Sequence, residues 1–384
     1  MGGERVDPNM IGAYGPWASS LVGEEPPSFS YRHPDWSSLE DWKPAALDRL
    51  MERLAPPKDI GVPEVEVEAQ YQFEDLHIEE LSWQLPYGPP TKAFFLKPAG
   101  SKGPLPGLLA LHDHGGNKYF GRRKICKTLS DPHPMMAEHQ QNYYGGRAWA
   151  CEAARLGYGV LVNDAFPFAS RRVLPSDVPE RNRPGFHNGN PEDPAQIEQY
   201  NRWASSHEDL MAKSLFCGGT TWPGVFLSED RVALDVLCER EDIDAERVGC
   251  GGLSGGGMRT VFLGGSDARI KCAVCVGMMT TWRDYLLNKC YTHTWMVYVP
   301  LLPRELDYPE ILGLRVPSPT MVLNDEDDQL FTLSEMKRAD EMLSEVFKKA
   351  GAEDRYRCSF YPGPHKFDVE MQEEAFGWFD SWLK

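Results

Sequence analysis

The chain has no run of 18 apolar residues and no basic run of five or more, in 384 residues that carry a formal net charge of −17. The first absence argues against a membrane-spanning helix. The second, together with the charge, argues against nucleic acid, because a polyanion would meet a repulsive field with no local basic patch to offset it. Met1 to Met10 is polar and lacks the apolar stretch of a secretory signal, so a cytoplasmic location is the expectation. Cysteines number nine. An odd, widely spread set disfavours a disulfide framework and fits reduced, partly buried thiols. Cys272-Ala273-Val274-Cys275 has C-x-x-C spacing. On a strand, however, positions three apart face opposite sides, so these two read as core thiols and not as a zinc or redox pair.

Hydrophobic residues make up 41% and charged residues 25%, an ordinary globular balance that excludes disorder as the default reading. The length suits one large α/β domain with additions. Residues 1 to about 60 are rich in Pro and Trp and hold one predicted helix, Leu39 to Leu54, with Ser37 and Ser38 as N-cap candidates and Pro56-Pro57 as its stop. They read as an extension packed on a main domain spanning 61–384, and lid support and subunit contact are the two roles open to them. Val65 to Phe73, His77 to Leu85 and Lys92 to Lys97 alternate in part and predict an antiparallel start to a sheet.

From Leu108 to Leu111, a wholly apolar run, strands and helices alternate. Helices are predicted over 144–156, 228–240, 256–263, 333–350 and 369–383, with strands over 159–163, 247–250, 270–277, 320–324 and 356–361. This pattern predicts an α/β fold with a mostly parallel central sheet and helices on both faces. Functional loops then belong at strand C-termini. An inserted segment at about 166–222, punctuated by Pro179, Pro184 and Pro194, is too long for an ordinary connection. It reads as a lid or pocket wall, with a plain surface excursion as the alternative.

Gly252-Leu253-Ser254-Gly255-Gly256-Gly257 fits G-x-S-x-G directly after a predicted strand. In a nucleophile elbow the chain turns sharply from strand into helix, and small residues must flank the serine to let backbone pass backbone. With 35 glycines in the chain, a match is expected by chance on the order of 0.2 times per chain, so the motif needs corroboration. A serine hydroxyl needs a base, and the base needs a carboxylate to orient it. Asp325-Glu326-Asp327-Asp328 follows the strand over 320–324, and Pro362-Gly363-Pro364-His365 follows the last strand. An acid after one strand and a histidine after the next is the placement expected for the order Ser, acid, His. His365 is the candidate base. Asp328 is the chosen acid with Asp327 as runner-up: hydrolases often place Gly-x-x-Asp at this corner, and Asp325 occupies the glycine position.

Acyl transfer also requires two N–H donors aimed at the developing oxyanion. Gly255 supplies one candidate amide. The second is expected from His112-Asp113-His114-Gly115-Gly116, with the amide of His114 favoured and Gly115 the alternative. His112 and His114 could also be read as a metal pair helped by His133 or His139, but no cluster with ligand spacing follows. No metal and no cofactor is assigned.

With these residues in view the chain resembles the α/β-hydrolase superfamily, and within it the acetyl xylan esterase and dienelactone hydrolase-like group. The resemblance covers nearly the whole chain and includes Gly12 to Trp17, Leu39 to Trp42, Leu111 to Gly116, Glu229 to Leu237 and Arg247 to Gly249, with Ser254, Asp328 and His365. It implies a serine esterase that removes acetyl or another short acyl group from an alcohol or sugar, acting on a small ester substrate through an acyl-enzyme. The chain departs from the group at Asp113 and Asp325, each in place of a glycine. It also departs from true dienelactone hydrolases in having serine for cysteine at the elbow, which ranks lactone hydrolysis below ester hydrolysis. A peptidase with the same triad is a further alternative, although no repeat or propeller-length extension is present to sieve peptides. A fold that binds without catalysing is the reading from a different class.

Overall fold

Alternation of apolar and polar residues gives way to wholly apolar runs after Leu105, and the sheet changes direction at the same place. The computed structural model describes residues 8–23, 25–58, 60–183 and 192–384, so Pro184 and Met1 to Asp7 lie outside the described residues. The strands are β1 (Val65–Phe73), β2 (Leu76–Trp83), β3 (Thr91–Pro98), β4 (Leu105–Ala110), β5 (Gly159–Asn163), β6 (Ile243–Leu253), β7 (Ile270–Val276), β8 (Thr320–Asp325) and β9 (Tyr356–Tyr361). They form one sheet in the order β1-β2-β3-β5-β4-β6-β7-β8-β9. β1, β2, β3 and β5 pair antiparallel, and every pairing from β5 through β4 to β9 is parallel. β1 is largely exposed, whereas β4, β5 and β8 are almost wholly buried, as strands covered on both faces must be. The fold class is therefore α/β with a mixed, mostly parallel sheet.

The helices are α1 (Gly15–Ser20), α2 (Leu39–Leu54), α3 (Pro134–Tyr144), α4 (Trp149–Arg155), α5 (Pro194–Ser206), α6 (Glu208–Cys217), α7 (Trp222–Cys238), α8 (Gly255–Ser266), α9 (Trp282–Asp284), α10 (Tyr308–Gly313), α11 (Leu333–Lys349) and α12 (Val369–Leu383). Side chains of α2, α7, α8, α10 and α11 pack in one core on one face of the sheet, and those of α4 and α12 in a second core on the other. Period-two alternation sorts the strands between them: Leu109 and Cys275 join the first core, Leu108 and Cys272 the second. The two thiols of the C-x-x-C spacing thus lie buried on opposite faces. Among the nine cysteines, all unpaired, Cys217 is exposed.

Residues before β1 are built into the first core. Trp42 of α2 is fully buried and donates its indole N–H to Phe29 O at 2.7 Å. At the far end Thr221 donates to Leu54 O at 2.7 Å, and a Cβ on Gly224 would stand 2.2 Å from that oxygen. Glycine at 224 is what lets α7 approach α2 this closely.

Two helix expectations are corrected. The helix expected over 144–156 begins only at Trp149, because Gly145 (φ 62°) and Gly146 (φ 81°) close α3, a helix the pattern did not suggest, in the left-handed conformation before α4 starts. The helix over 228–240 starts earlier, at Trp222, where Thr221 accepts the Gly224 N–H and a proline occupies the first turn. β6 also begins four residues earlier than Arg247, since Ile243 and Asp244 pair with Leu105 and Pro106. No helix of the described residues is long and apolar enough to cross a membrane.

Candidate active site

The strand order places a site before any side chain is considered. β4 has β5 on one side and β6 on the other, so the connections leaving the C-terminal ends of β4 and β6 meet at a topological switch point. The β4 exit is the loop 112–116, and the β6 exit is Ser254.

Ser254 joins β6 to α8 with φ 56° and ψ −115°, a conformation that costs a non-glycine residue about 1–3 kcal/mol and persists only where the surroundings enforce it. The enforcement is visible. A Cβ on Gly252 or Gly256 would lie 2.2 or 2.1 Å from Leu111 O, so β4 presses on the turn from one side. From the other, Val276 O at the end of β7 accepts the Ser254 N–H at 2.8 Å.

His365, in the turn after β9, has Nδ1 2.6 Å from Asp328 Oδ2. Asp328 is buried in the turn after β8, and its other oxygen accepts the Leu330 N–H at 2.8 Å. Asp327 is exposed and instead accepts the Gly363 N–H at 3.1 Å; it braces the two turns and does not touch His365. Nε2 of His365 is buried with no hydrogen-bond partner among the described residues. Gly277 (φ 55°) makes room for the ring, since a Cβ there would stand 2.9 Å from His365 Cε1.

Asp325, at the end of β8, is fully buried and accepts the Lys366 N–H at 2.9 Å. Burial pushes its carboxyl up to about 7, with the Asp328 charge adding to the effect. Asp325, Asp328 and His365 offer ligand atoms within 4.8 Å of one another, the one compact set of this kind among the described residues, but the imidazole and the Asp328 carboxylate already hydrogen-bond each other.

In the loop after β4, Asp113 turns inward. Its Oδ1 accepts from His139 Nε2 at 3.0 Å and from the Tyr144 hydroxyl at 2.5 Å, and despite burial its carboxyl is held well below the usual range by His139 and Lys124. His114 Nδ1 accepts the Gly116 N–H at 3.0 Å and Nε2 lies 3.4 Å from Glu208 Oε1. Burial, reinforced by Lys118, pushes His114 down to about 4, so the ring is neutral near pH 7. The backbone N of His114 lies beside Gly255, 2.9 Å from where a Cβ would stand. The rings suggested as a metal set go separate ways: His112 Nε2 accepts the Ala165 N–H, and His133 caps α3 at Met135 N.

These parts line one cavity of about 420 Å³ that includes Ser254, Gly255, His114, Gly115 and His365. Leu253, Met258, Met278, Met296, Val297 and Leu330 supply apolar wall, and Tyr143, Ser205, Glu208, Tyr291 and Thr292 polar wall. Ser205 and Glu208 come from the inserted segment, whose residues 184–191 lie outside the described ones. Sequence reasoning missed Glu208, the Asp113–His139–Tyr144 contacts and the buried Lys124. It also missed the stretch 285–304, a series of short 3₁₀ and π turns with no period to read.

No family model matches the chain. A curated relative, Putative hydrolase YtaP of Bacillus subtilis (strain 168), is 25% identical over 340 residues, covering 88% of this chain and 97% of its own length. Among solved structures, that of a putative acetyl xylan esterase from Bacteroides fragilis NCTC 9343 superposes with a TM-score of 0.63 at 16% identity, over 90% of this chain and 81% of that one. A glucuronoyl esterase from Solibacter usitatus superposes with a TM-score of 0.58 at 16% identity, over 88% and 92% of the two chains. The chain has the α/β-hydrolase fold.

Proposed function

We propose that the chain is a serine carboxylic ester hydrolase that removes acetyl or another short acyl group from an alcohol or sugar through an acyl-enzyme on Ser254. The coarser statement rests on similarity: this is an esterase-like hydrolase of the α/β-hydrolase fold. One observation carries the finer reading. Ser254 stands on a positive-φ turn at the same cavity as His365, whose Nδ1 is held by Asp328 while its buried Nε2 remains unspent.

In this reading Nε2 takes the Ser254 proton as the hydroxyl oxygen attacks the ester carbonyl, and Asp328 holds the tautomer that keeps Nε2 free to do so. The amides of Gly255 and His114 receive the negative oxygen of the tetrahedral intermediate. Its collapse breaks the ester C–O bond, and His365 returns the proton to the leaving alcohol. Water, deprotonated by the same nitrogen, then attacks the acyl-enzyme and releases the acid and Ser254. Short thioether and aliphatic walls suit a short acyl group. The cavity favours neutral esters, because no lysine or arginine among the described residues lines it and His114 and His293 are both pushed down to about 4, chiefly by burial.

Hydrolysis of p-nitrophenyl esters from acetate to octanoate tests this. Activity falling with chain length, and a loss of at least about 10³-fold in kcat/KM for Ser254→Ala, are expected. Unchanged activity in the variant would remove Ser254 as nucleophile. Failure of a serine-directed phosphonate to label the wild type would favour the non-catalytic reading.

A further inference from the structure

We infer that Lys124 is a positioning residue that aims the backbone N–H of His114 at the oxygen bearing negative charge during ester hydrolysis. The inference rests on the serine esterase reading above.

Lys124 ends a single 3₁₀ turn, Arg122–Lys124, and its side chain is wholly buried. Nζ donates to Asp113 O and to His114 O, each at 2.8 Å, and lies 4.8 Å from the centre of the Phe168 ring. A third contact, 3.7 Å to Asp113 Oδ2, is ionic. Taking an ammonium out of water is costly, and a lysine is among the residues least often fully buried. Here the cost is met by gripping two consecutive carbonyls of a loop that lines the cavity with Ser254.

The geometry of the peptide unit gives that grip a direction. In a trans peptide the C=O and the following N–H point to opposite sides. Holding Asp113 O therefore turns the His114 N–H away from Lys124, and holding His114 O does the same for the Gly115 N–H. Gly255 lies against His114 N, and Gly255, His114 and Gly115 line the cavity with Ser254. Asn117 N also donates to His114 O at 3.0 Å, and His139 and Tyr144 hold the Asp113 side chain. An ammonium suits the task because its three donors can span successive carbonyls that a single backbone donor could not. The aspartate in place of a glycine at 113 is thus part of the loop's anchorage, facing the same lysine.

The test is Lys124→Met, close in length and without donors, assayed on p-nitrophenyl acetate beside wild type and Ser254→Ala. The expected result is a fall of about 10²–10³ in kcat with KM within about threefold. Affinity for an alkylboronic acid, whose tetrahedral adduct on Ser254 carries an anionic oxygen, falls by a similar factor. Wild-type kcat in a folded Lys124→Met protein overturns the inference. So does a loss confined to KM and melting temperature with boronate affinity intact, the mark of a merely structural lysine. If the single variant does not fold, Lys124→Met/Asp113→Asn, which removes both charges together, is compared with Asp113→Asn under the same criteria. Activity persisting in Ser254→Ala would sink the esterase reading itself; an inactive Ser254→Ala beside an unimpaired Lys124→Met sinks only the role of Lys124.

Discussion

Asp325 illustrates how one residue carries a pH signature. Its carboxyl is pushed up to about 7 in the folded chain, first by burial, against an ordinary value of 3.8. The folded state therefore holds a proton that the unfolded chain has released, and stability falls as pH rises from about 4 to 7, with the full cost present above 7. Asp307 is raised to about 7 by burial as well, so the comparison with a variant, and not the wild-type curve alone, isolates Asp325. Asp325→Asn keeps an acceptor for Lys366 N and is expected to be more stable than wild type at pH 8 by about 1–3 kcal/mol. At pH 4 the two should converge. Urea unfolding at both pH values checks this, and an equal offset at both would contradict the assignment. Ser254, Asp328 and His365 were candidates in the sequence because each sits just after a run that reads as a strand, and the fold brings Ser254 and His365 to one cavity with Asp328 on His365 Nδ1. Lys124 was not a candidate. Within Gly121-Arg122-Arg123-Lys124 it reads as one more exposed cation, and its partners are backbone oxygens, which leave no trace in residue identity.

Among the elements, the insertion shows how a cavity wall is fixed to the loop after β4. Asn201 of α5 accepts the backbone N–H groups of Lys118 and Tyr119, each at 3.0 Å. Glu208, at the start of α6, pairs with Lys118 and reaches His114. Asn201→Ala leaves the part-buried Lys118 N–H without its acceptor, about 1–2 kcal/mol of local stability, while the Tyr119 N–H keeps Asn117 Oδ1 at 3.1 Å. Hydrogen exchange at Lys118 should quicken by about 5- to 30-fold, and at Tyr119 by less, while exchange in β6 and β7 stays as in wild type. Quickening throughout the sheet would show that the segment is not an independently opening unit. Strands β5 and β7 and helices α2, α11 and α12 were legible within a residue or so because a largely apolar run or a helical period spans each of them. The insertion was not. Its short turns have neither period, and what orders them is contact with a loop some 80 residues earlier in the chain.

For the molecule as a whole, the net charge of −17 sets a field that every substrate crosses. Low salt leaves that field long-ranged, with a screening length of roughly 30 Å at 0.01 M against about 3 Å at 1 M. For an ester with a free carboxylate, kcat/KM should rise several-fold between these conditions, while a neutral acetate ester changes by less than about twofold. Parallel slopes for the two esters would show that the field does not govern access. The fold class was readable because apolar strands and amphipathic helices alternate after Leu108. The involvement of the first sixty residues was only half readable: the helix is plain, but its burial depends on Gly224 allowing α7 within reach of Leu54 O, a long-range fit that neither segment announces.

The φ of 56° at Ser254 also restricts the lineage to which this chain belongs. A residue branched at Cβ is an outlier at positive φ, whereas cysteine and alanine tolerate it about as well as serine. Drift at this codon toward threonine meets a barrier set by the backbone before any question of reactivity arises. A thiol or a methyl group can take the place of the hydroxyl without moving the backbone, but threonine cannot until the turn itself is rebuilt.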